Sequence, residues 1–312
     1  MNHEERVYCG VDVSKDHLDV LVKGRPAQFE NTAKGVRSMV ARIGKAHYVL
    51  ESTGGYERMA AWLLMDAGLA ASIVNPSRVR HYALGMGQLA KTDPIDAGVI
   101  TEFARATRPE PSEKPSKTQR LLVALVDRRQ QLMDMRTAES NRLETAAGPE
   151  FRKMVGKHLR WIEKEIEALE KRIDETVRAD ESMEAKARCI RCIRRIQGLG
   201  AVCTATLLAH LPEIGTLSRQ EAAALTGLAP YNRDSGKSSK QRHICGGRRR
   251  LRACLYMGAI SAIQHNPHLK EFYRRLVEEN HRPKKVALTA VMRKLVIAAN
   301  SAVKNPDFCV VV

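Results

Sequence analysis

The chain is poor in aromatic residues. Phe, Trp and Tyr make up 4% of 312 residues, and there are two tryptophans. Single-stranded nucleic acids are held largely by bases stacked on aromatic rings. Helices that lie in a membrane surface want Trp or Phe on their apolar face. The composition disfavours both. Long apolar runs are missing too: no run of 18 apolar residues occurs, so no transmembrane helix is expected. The opening stretch MNHEERVYCGVDV has acids where a secretory signal would have a basic and then an apolar segment. Cysteines number seven, an odd count, with no spacing that suggests a disulfide framework, so reduced thiols in a cytosol fit best. The CxxC at 189–192 has no second pair and does not make a zinc site.

Acids are scarce at one end only. Residues 1–111 carry 14 Lys/Arg against 13 Asp/Glu, and residues 112–186 carry 16 against 15. Residues 187–312 carry 22 against 7, which places +15 of the net +17 in that last segment. So much charge on one module repels itself unless a polyanion relieves it. Nucleic acid is the leading partner, because each neutralised phosphate releases a counterion. With so few rings, duplex or structured nucleic acid held by its backbone fits best.

Patterning divides the chain in the same places. VYCGVDV (7–13) and LDVLV (18–22) read as strands, and RPAQFEN as a third. TAKGVRSMVARIG has Val36, Met39, Val40 and Ile43 at helical spacing. HYVLES and ASIVNP are short buried strands, while GYERMAAWLLMDAG and DPIDAGVITEFAR are helices. A strand meander followed by alternating helix and strand predicts an α/β layer fold with a mixed sheet for residues 1–111. RPEPSEKPSK, with three prolines, reads as a linker. Residues 112–186 are then a linker and an all-helical segment. Leu121, Leu125, Leu132, Met135 and Leu143 mark one apolar stripe, GPE at 148–150 is a break, and Leu159, Ile162, Ile166, Leu169 and Ile173 form a heptad seam. About two heptads suit an intramolecular antiparallel pair as well as a dimer coil. Residues 187–312 read as a mainly helical basic domain. Gly198 and Gly200 form the turn of a helix-hairpin-helix-like element whose N–H groups could meet a phosphate.

Four acids stand out in the first segment. Asp12 lies inside an apolar strand, where a charge is costly without a partner. Glu51 ends another strand, and Asp93 and Asp96 lie three apart at a helix start, on one face. Strand ends and a helix start can converge on one sheet edge and give the all-oxygen cage that hard cations need. Two Mg²⁺ ions there could activate an attacking oxygen and stabilise a leaving one. The plainer reading of TDPID is a capped helix, with Asp93 at the N-cap, Pro94 at N1 and Asp96 at N3. The two readings are compatible.

In the basic segment, RDSGKSS carries Ser235, Ser238 and Ser239, and residues 233–252 hold eight Lys/Arg against one Asp. These cations are Arg233, Lys237, Lys240, Arg242, Arg248, Arg249, Arg250 and Arg252. Serine in such a stretch is ordinarily a turn residue. The arginines 248–250 sit at a helix N-terminus, where cations oppose the dipole. A phosphate near Gly246 and Gly247 would relieve both them and the unpaired N–H groups. GKS at 236–238 is not a P-loop, because position 231, where that motif needs glycine, is Tyr.

YCGVDVSKDHLDV, VLESTGGYE and KTDPIDA resemble the three acidic signatures of the RuvC-like domain in bacterial insertion-sequence transposases of the IS110 type. These are DEDD recombinases with a C-terminal serine domain. IQGLGAVCTATLLAHLPEIG, ALTGLAPYNRDSGKSS and ICGGRRRLRACLYMGA resemble that second domain. The resemblance implies an RNase H-like first domain, metal ligation by Asp12, Glu51, Asp93 and Asp96, and Ser235, the serine of the SG step, as nucleophile. It implies Mg²⁺ as cofactor, donor and target double-stranded DNA as substrates, and a structured guide RNA as partner. It also implies a homo-oligomer, dimer or tetramer, in which the acids of one protomer can face the serine of another. The location implied is the bacterial cytoplasm, with the nucleoid and without a membrane. Two rival readings keep part of this. A RuvC-like nuclease using water would make Ser235 dispensable, and a non-enzymatic nucleic-acid binder would survive loss of all five residues.

Overall fold

The computed structural model describes residues 7–88, 93–191, 199–231 and 243–305, with the backbone alone at 93–95. The chain divides into two compact units, Met1–Pro115 and Ser116–Val312.

The first unit is a mixed five-stranded sheet. The strands are β1 (Tyr8–Val13), β2 (His17–Val22), β3 (Arg25–Glu30), β4 (His47–Glu51) and β5 (Ala71–Val74), in the order β3-β2-β1-β4-β5. The first three form the antiparallel meander; β4 and β5 pair parallel. The parallel strands are reached through α1 (Ala33–Ile43) and α2 (Glu57–Asp66), which share one core with Val11, Val13, Leu18, Val20, Tyr48 and Leu50. The opposite face is covered by α3 (Pro76–Gly85) and α4 (Asp93–Thr107), packed on Tyr8, Val49 and Val74. Alternation along each strand thus sends one set of residues to α1 and α2 and the other to α4. This helix-covered mixed sheet is consistent with an RNase H-like fold. The helix α3 has no counterpart in the sequence pattern: of its ten residues Val79 and Ala83 are buried, too few to show a stripe.

The proline-rich stretch belongs to this unit. The Ser72 hydroxyl donates to the Glu110 carbonyl at 2.7 Å, the Ser112 N–H donates to Ala71 at 2.9 Å, and Lys114 pairs with Asp66 at 3.0 Å. Prolines suit such an edge, because they ask for no hydrogen bond from the last strand.

The second unit is helical. The helices α5 (Lys117–Thr145) and α6 (Pro149–Arg178) form an antiparallel pair within one chain, held by Leu132, Ile162 and Ile166 and by Arg129–Glu170 at 2.6 Å. Their root joins α7 (Glu181–Arg191), α8 (Ala201–His210), α9 (Arg219–Leu225), α10 (Arg249–His265), α11 (Pro267–Arg274) and α12 (Lys284–Lys304) around one core. A π-helical turn, Arg275–Glu279, follows α11. Leu122, Leu125, Val126, Ile173 and Val177 are members of that core, so the stretch read as a separate middle segment at 112–186 shares its interior with the helices beyond 187. The seam of α5 also shifts. Leu122 and Val126 are buried, whereas Leu121 and Met135, expected on the stripe, are exposed. By length and composition α12 could cross a membrane (hydropathy 1.5), yet its Leu288, Val291, Leu295 and Val296 lie in the core, which accounts for its composition.

Candidate active site and nucleic-acid interface

Strand register sets the acidic site. The pairing of β1 with β4 runs Gly10↔Val49 and Val11↔Leu50, so the next step along it sets Asp12 beside Glu51. Val11 and Leu50 enter the α1/α2 core, so Asp12 and Glu51 belong to the α4 face. The helix α4 lies close on that face. Gly10 donates its N–H to Thr101 Oγ1 at 2.9 Å, and Thr101 donates to the Ala97 carbonyl at 2.9 Å. A Cβ on Gly10 would fall 2.5 Å from the Thr101 nitrogen, so glycine is required for this approach. Asp96 is next to Ala97, and α4 begins at Asp93, whose side chain lies outside the described residues. The fold therefore carries Asp12, Glu51 and the first turn of α4 on one face of the sheet.

Two acids that the sequence patterns did not single out belong to the same neighbourhood. Asp19 is directly opposite Asp12 in the β1–β2 ladder, and accepts from Gln28 Nε2 at 2.9 Å. Like charges in cross-strand register repel, so this pairing favours a cation on that face. Glu57 is 4% exposed. Its carboxylate accepts from the Ser52 hydroxyl at 3.3 Å and from the Thr53 and Gly55 N–H groups at 2.9 Å each. It shapes the turn that leaves Glu51, with Gly54 and Gly55 at positive φ. Its place at the start of α2 also suits the helix dipole.

All these donors are carboxylate oxygens, the set that suits Mg²⁺. Asp12, Glu51, Asp93 and Asp96 supply that donor type. Among the described residues no three His, Cys, Asp or Glu side chains gather closely enough to hold a metal.

In the second unit Ser235, with Ser238, Ser239, Arg233, Lys237, Lys240, Arg242 and Gly198, lies outside the described residues. Its flanks are described. The short strands β6 (Pro230–Tyr231) and β7 (His243–Ile244) pair antiparallel, Tyr231 against His243, so the two ends of this segment stand side by side.

Of the arginines that follow, three are engaged within the chain. Arg248 caps α10 and holds Glu213 through two bonds of 2.8 and 2.6 Å, and it donates to the His210 carbonyl at 2.8 Å. Burial works to raise the Glu213 carboxyl, but the hydrogen bonds and charge of Arg248 outweigh it and leave the group below the usual carboxylate range. Arg250 pairs with Asp127 of α5, beside His210 at 3.0 Å. Arg252 donates to the Gly246 carbonyl at 2.6 Å. Gly246 and Gly247 have φ of 66° and 69°, and a Cβ on Gly247 would fall 2.0 Å from the Gly227 nitrogen. The expected phosphate seat at Gly246 and Gly247 is thus a turn packed on the end of α9, and its arginines meet carboxylates and carbonyls of the chain itself. Arg249 is exposed. Gly200 is the N-cap of α8, with no side-chain cap, and among the described residues nothing lies within 4 Å of where a Cβ would stand.

The comparisons with known proteins agree in position with these two regions. A family model described as "Transposase" matches residues 9–147, and one described as "Transposase IS116/IS110/IS902 family" matches residues 190–274. Pilin gene-inverting proteins of Moraxella bovis and Moraxella lacunata are each 25% identical over 96% of this chain and 96% of their own length. An "Insertion element IS900 uncharacterized 42 kDa protein" of Mycobacterium paratuberculosis is 31% identical over 43% of this chain and 34% of its own. With one family matched at both ends and relatives aligned along nearly the whole length, the chain belongs to the IS110 family of DNA transposases and recombinases.

Proposed function

We propose that this recombinase exchanges DNA strands through a covalent serine–DNA intermediate, with the first unit supplying charge control and the second the nucleophile. The observation that carries the reading is the β1–β4 register, which runs to Val11↔Leu50 and so leads on to Asp12 and Glu51 on the sheet face that α4 covers. Ser235 attacks a DNA phosphorus. Its oxygen–phosphorus bond forms as the bond to the 3′ oxygen breaks, and a free 3′-hydroxyl leaves. A 3′-hydroxyl of the exchanged strand then attacks the phosphoserine, and the serine is released. Bond energy is conserved, so no nucleotide triphosphate is consumed. Serine is a weak nucleophile at neutral pH and needs a base or a metal.

Asp12, Glu51, Asp93 and Asp96 would hold Mg²⁺, which neutralises phosphate charge and lowers the pKa of the attacking oxygen. The Asp12–Asp19 opposition raises the negative field there, and Glu57 fixes the turn after Glu51. The partners in this reading are donor and target duplexes, a structured guide RNA and further copies of the chain, with acids and serine meeting in cis or in trans. The relatives named for pilin gene inversion suggest that inversion of a DNA segment is within reach of this chemistry as well as transposition.

The test is a recombination assay with trapping of the protein–DNA adduct. Ser235→Ala removes both adduct and product in this reading. Wild-type recombination by Ser235→Ala, or an adduct that maps to Ser238, overturns the assignment.

A further inference from the structure

With Arg248, Arg250 and Arg252 committed to groups of the chain itself, other described cations of this unit can give a phosphate a second seat. A groove of about 440 Å³ between α9, α11 and α12 offers one. Its floor is Phe272, Ala290 and Ile297, and its rim is Arg219, Gln220, Arg293 and Lys294. Three cations and no acid line it. Among the described residues Arg219 and Arg293 have no hydrogen bond or ion pair, and Lys294 rests its ammonium 4.3 Å from the Phe272 ring centre. The acids nearby are engaged: Glu213 holds Arg248, Glu221 closes a capping box with Ser218, and Glu278 and Glu279 take Arg274. Glu271 remains, and it does not line the groove.

We infer that this groove binds the sugar–phosphate backbone of a nucleic acid, with phosphate oxygens on Arg219, Arg293 and Lys294 and a sugar on the apolar floor. The Arg219 and Arg293 guanidiniums cost little to turn toward a phosphate and Lys294 gives up only its contact with the Phe272 ring, whereas Arg248 would have to abandon Glu213. Planar guanidiniums suit phosphate oxygens in pairs. Such contacts position a duplex or folded strand without reading its sequence. The inference deepens the nucleic-acid reading above by placing a contact on α9, α11 and α12, outside the RDSGKSS stretch and the arginines that follow it.

The experiment measures binding of the full-length chain to a fluorescent DNA duplex and to a fluorescent hairpin RNA over a range of salt. It compares wild type with the triple variant Arg219→Gln, Arg293→Gln, Lys294→Gln. The slope of log K against log salt becomes shallower by about 2 to 3 for the ligand that occupies the groove. A change with DNA alone makes the groove a DNA seat, and a change with RNA alone makes it an RNA seat. A second variant, Arg219→Lys with Arg293→Lys, keeps the charge and keeps the wild-type slope, which separates lost phosphate contacts from lost folding. Unchanged slopes on both ligands, with wild type binding normally, overturn the groove and leave the serine mechanism standing. Absence of salt-dependent binding by wild type itself overturns both.

Discussion

In residues 1–115 Asp12, Asp19 and Glu51 are placed by strands, with Asp93 and Asp96 on α4, whereas in residues 116–312 the charges in question sit on helices and turns. A strand pair in register leaves its neighbours little choice of face: once Val11 and Leu50 are buried, Asp12 and Glu51 must both face α4. Four Lys/Arg on one helix start can each turn elsewhere, and the described ones do: Arg248 to Glu213, Arg250 to Asp127, Arg252 to Gly246, with Arg249 in solvent. The contrast teaches that net charge locates a polyanion-binding module, while unpartnered charge locates the contact within it.

The sharpest way to break the comparison is to remove charge from the strand side. Asp12→Asn is expected to lower recombination by roughly a thousandfold or more, as loss of a residue that acts as part of a unit does. It should leave Tm unchanged or raised, because the Asp12–Asp19 repulsion goes with it. Wild-type turnover by this variant would make the acids caps and surface charge. Next in size is Gly10→Ala, which drives a methyl into the backbone of α4. It should cost about 1–3 kcal/mol, as overpacking does, and lower Tm by roughly 5–15 °C. Recombination should fall further than the lost stability explains, because α4 carries Asp96.

On the helical side, Glu213→Gln is expected to destabilise by about 1 kcal/mol, a figure kept small because the pair is partly exposed and screened. Its sign follows from the depressed Glu213 carboxyl. The stabilisation is full above the ordinary value of 4.5 and is lost as pH falls through the lower folded-state value. Thermal melts of wild type and variant should therefore differ at pH 7 and converge once the pH has fallen below the folded-state value. The smallest effects are expected from Ser238→Ala and Ser239→Ala, which should recombine within error of wild type. A large loss in either would move the nucleophile.

Much of the first unit is legible in the sequence because its strands alternate and its turns are marked by glycine, asparagine and proline. The helical heptad of α6 is legible for the same kind of reason, since Ile162, Ile166 and Ile173 recur at one spacing and are buried. What was not legible depends on residues far apart. Arg248 and Glu213 lie 35 positions apart, and no local rule links them. Arg250 and Asp127 belong to α10 and α5. The middle segment reads as separate because its own pattern is self-sufficient, yet Leu122 and Val177 complete a core made mostly by later helices. Elements such as α9 and the β6–β7 pair are too short to carry a period. Asp19 hides in plain alternation, where an acid on a strand's second face is ordinary until its cross-strand neighbour is known.

The Glu57 carboxylate offers a view of the acidic face that needs no substrate. Turn amides ordinarily exchange their hydrogens with water quickly, because little opposes local opening. Those of Thr53 and Gly55 are bound to a buried carboxylate, so they exchange only when that carboxylate lets go. These two amides are therefore built-in reporters. Their protection, followed by hydrogen exchange as DNA or Mg²⁺ is added, reads out how firmly the turn beside Glu51 is held at each stage.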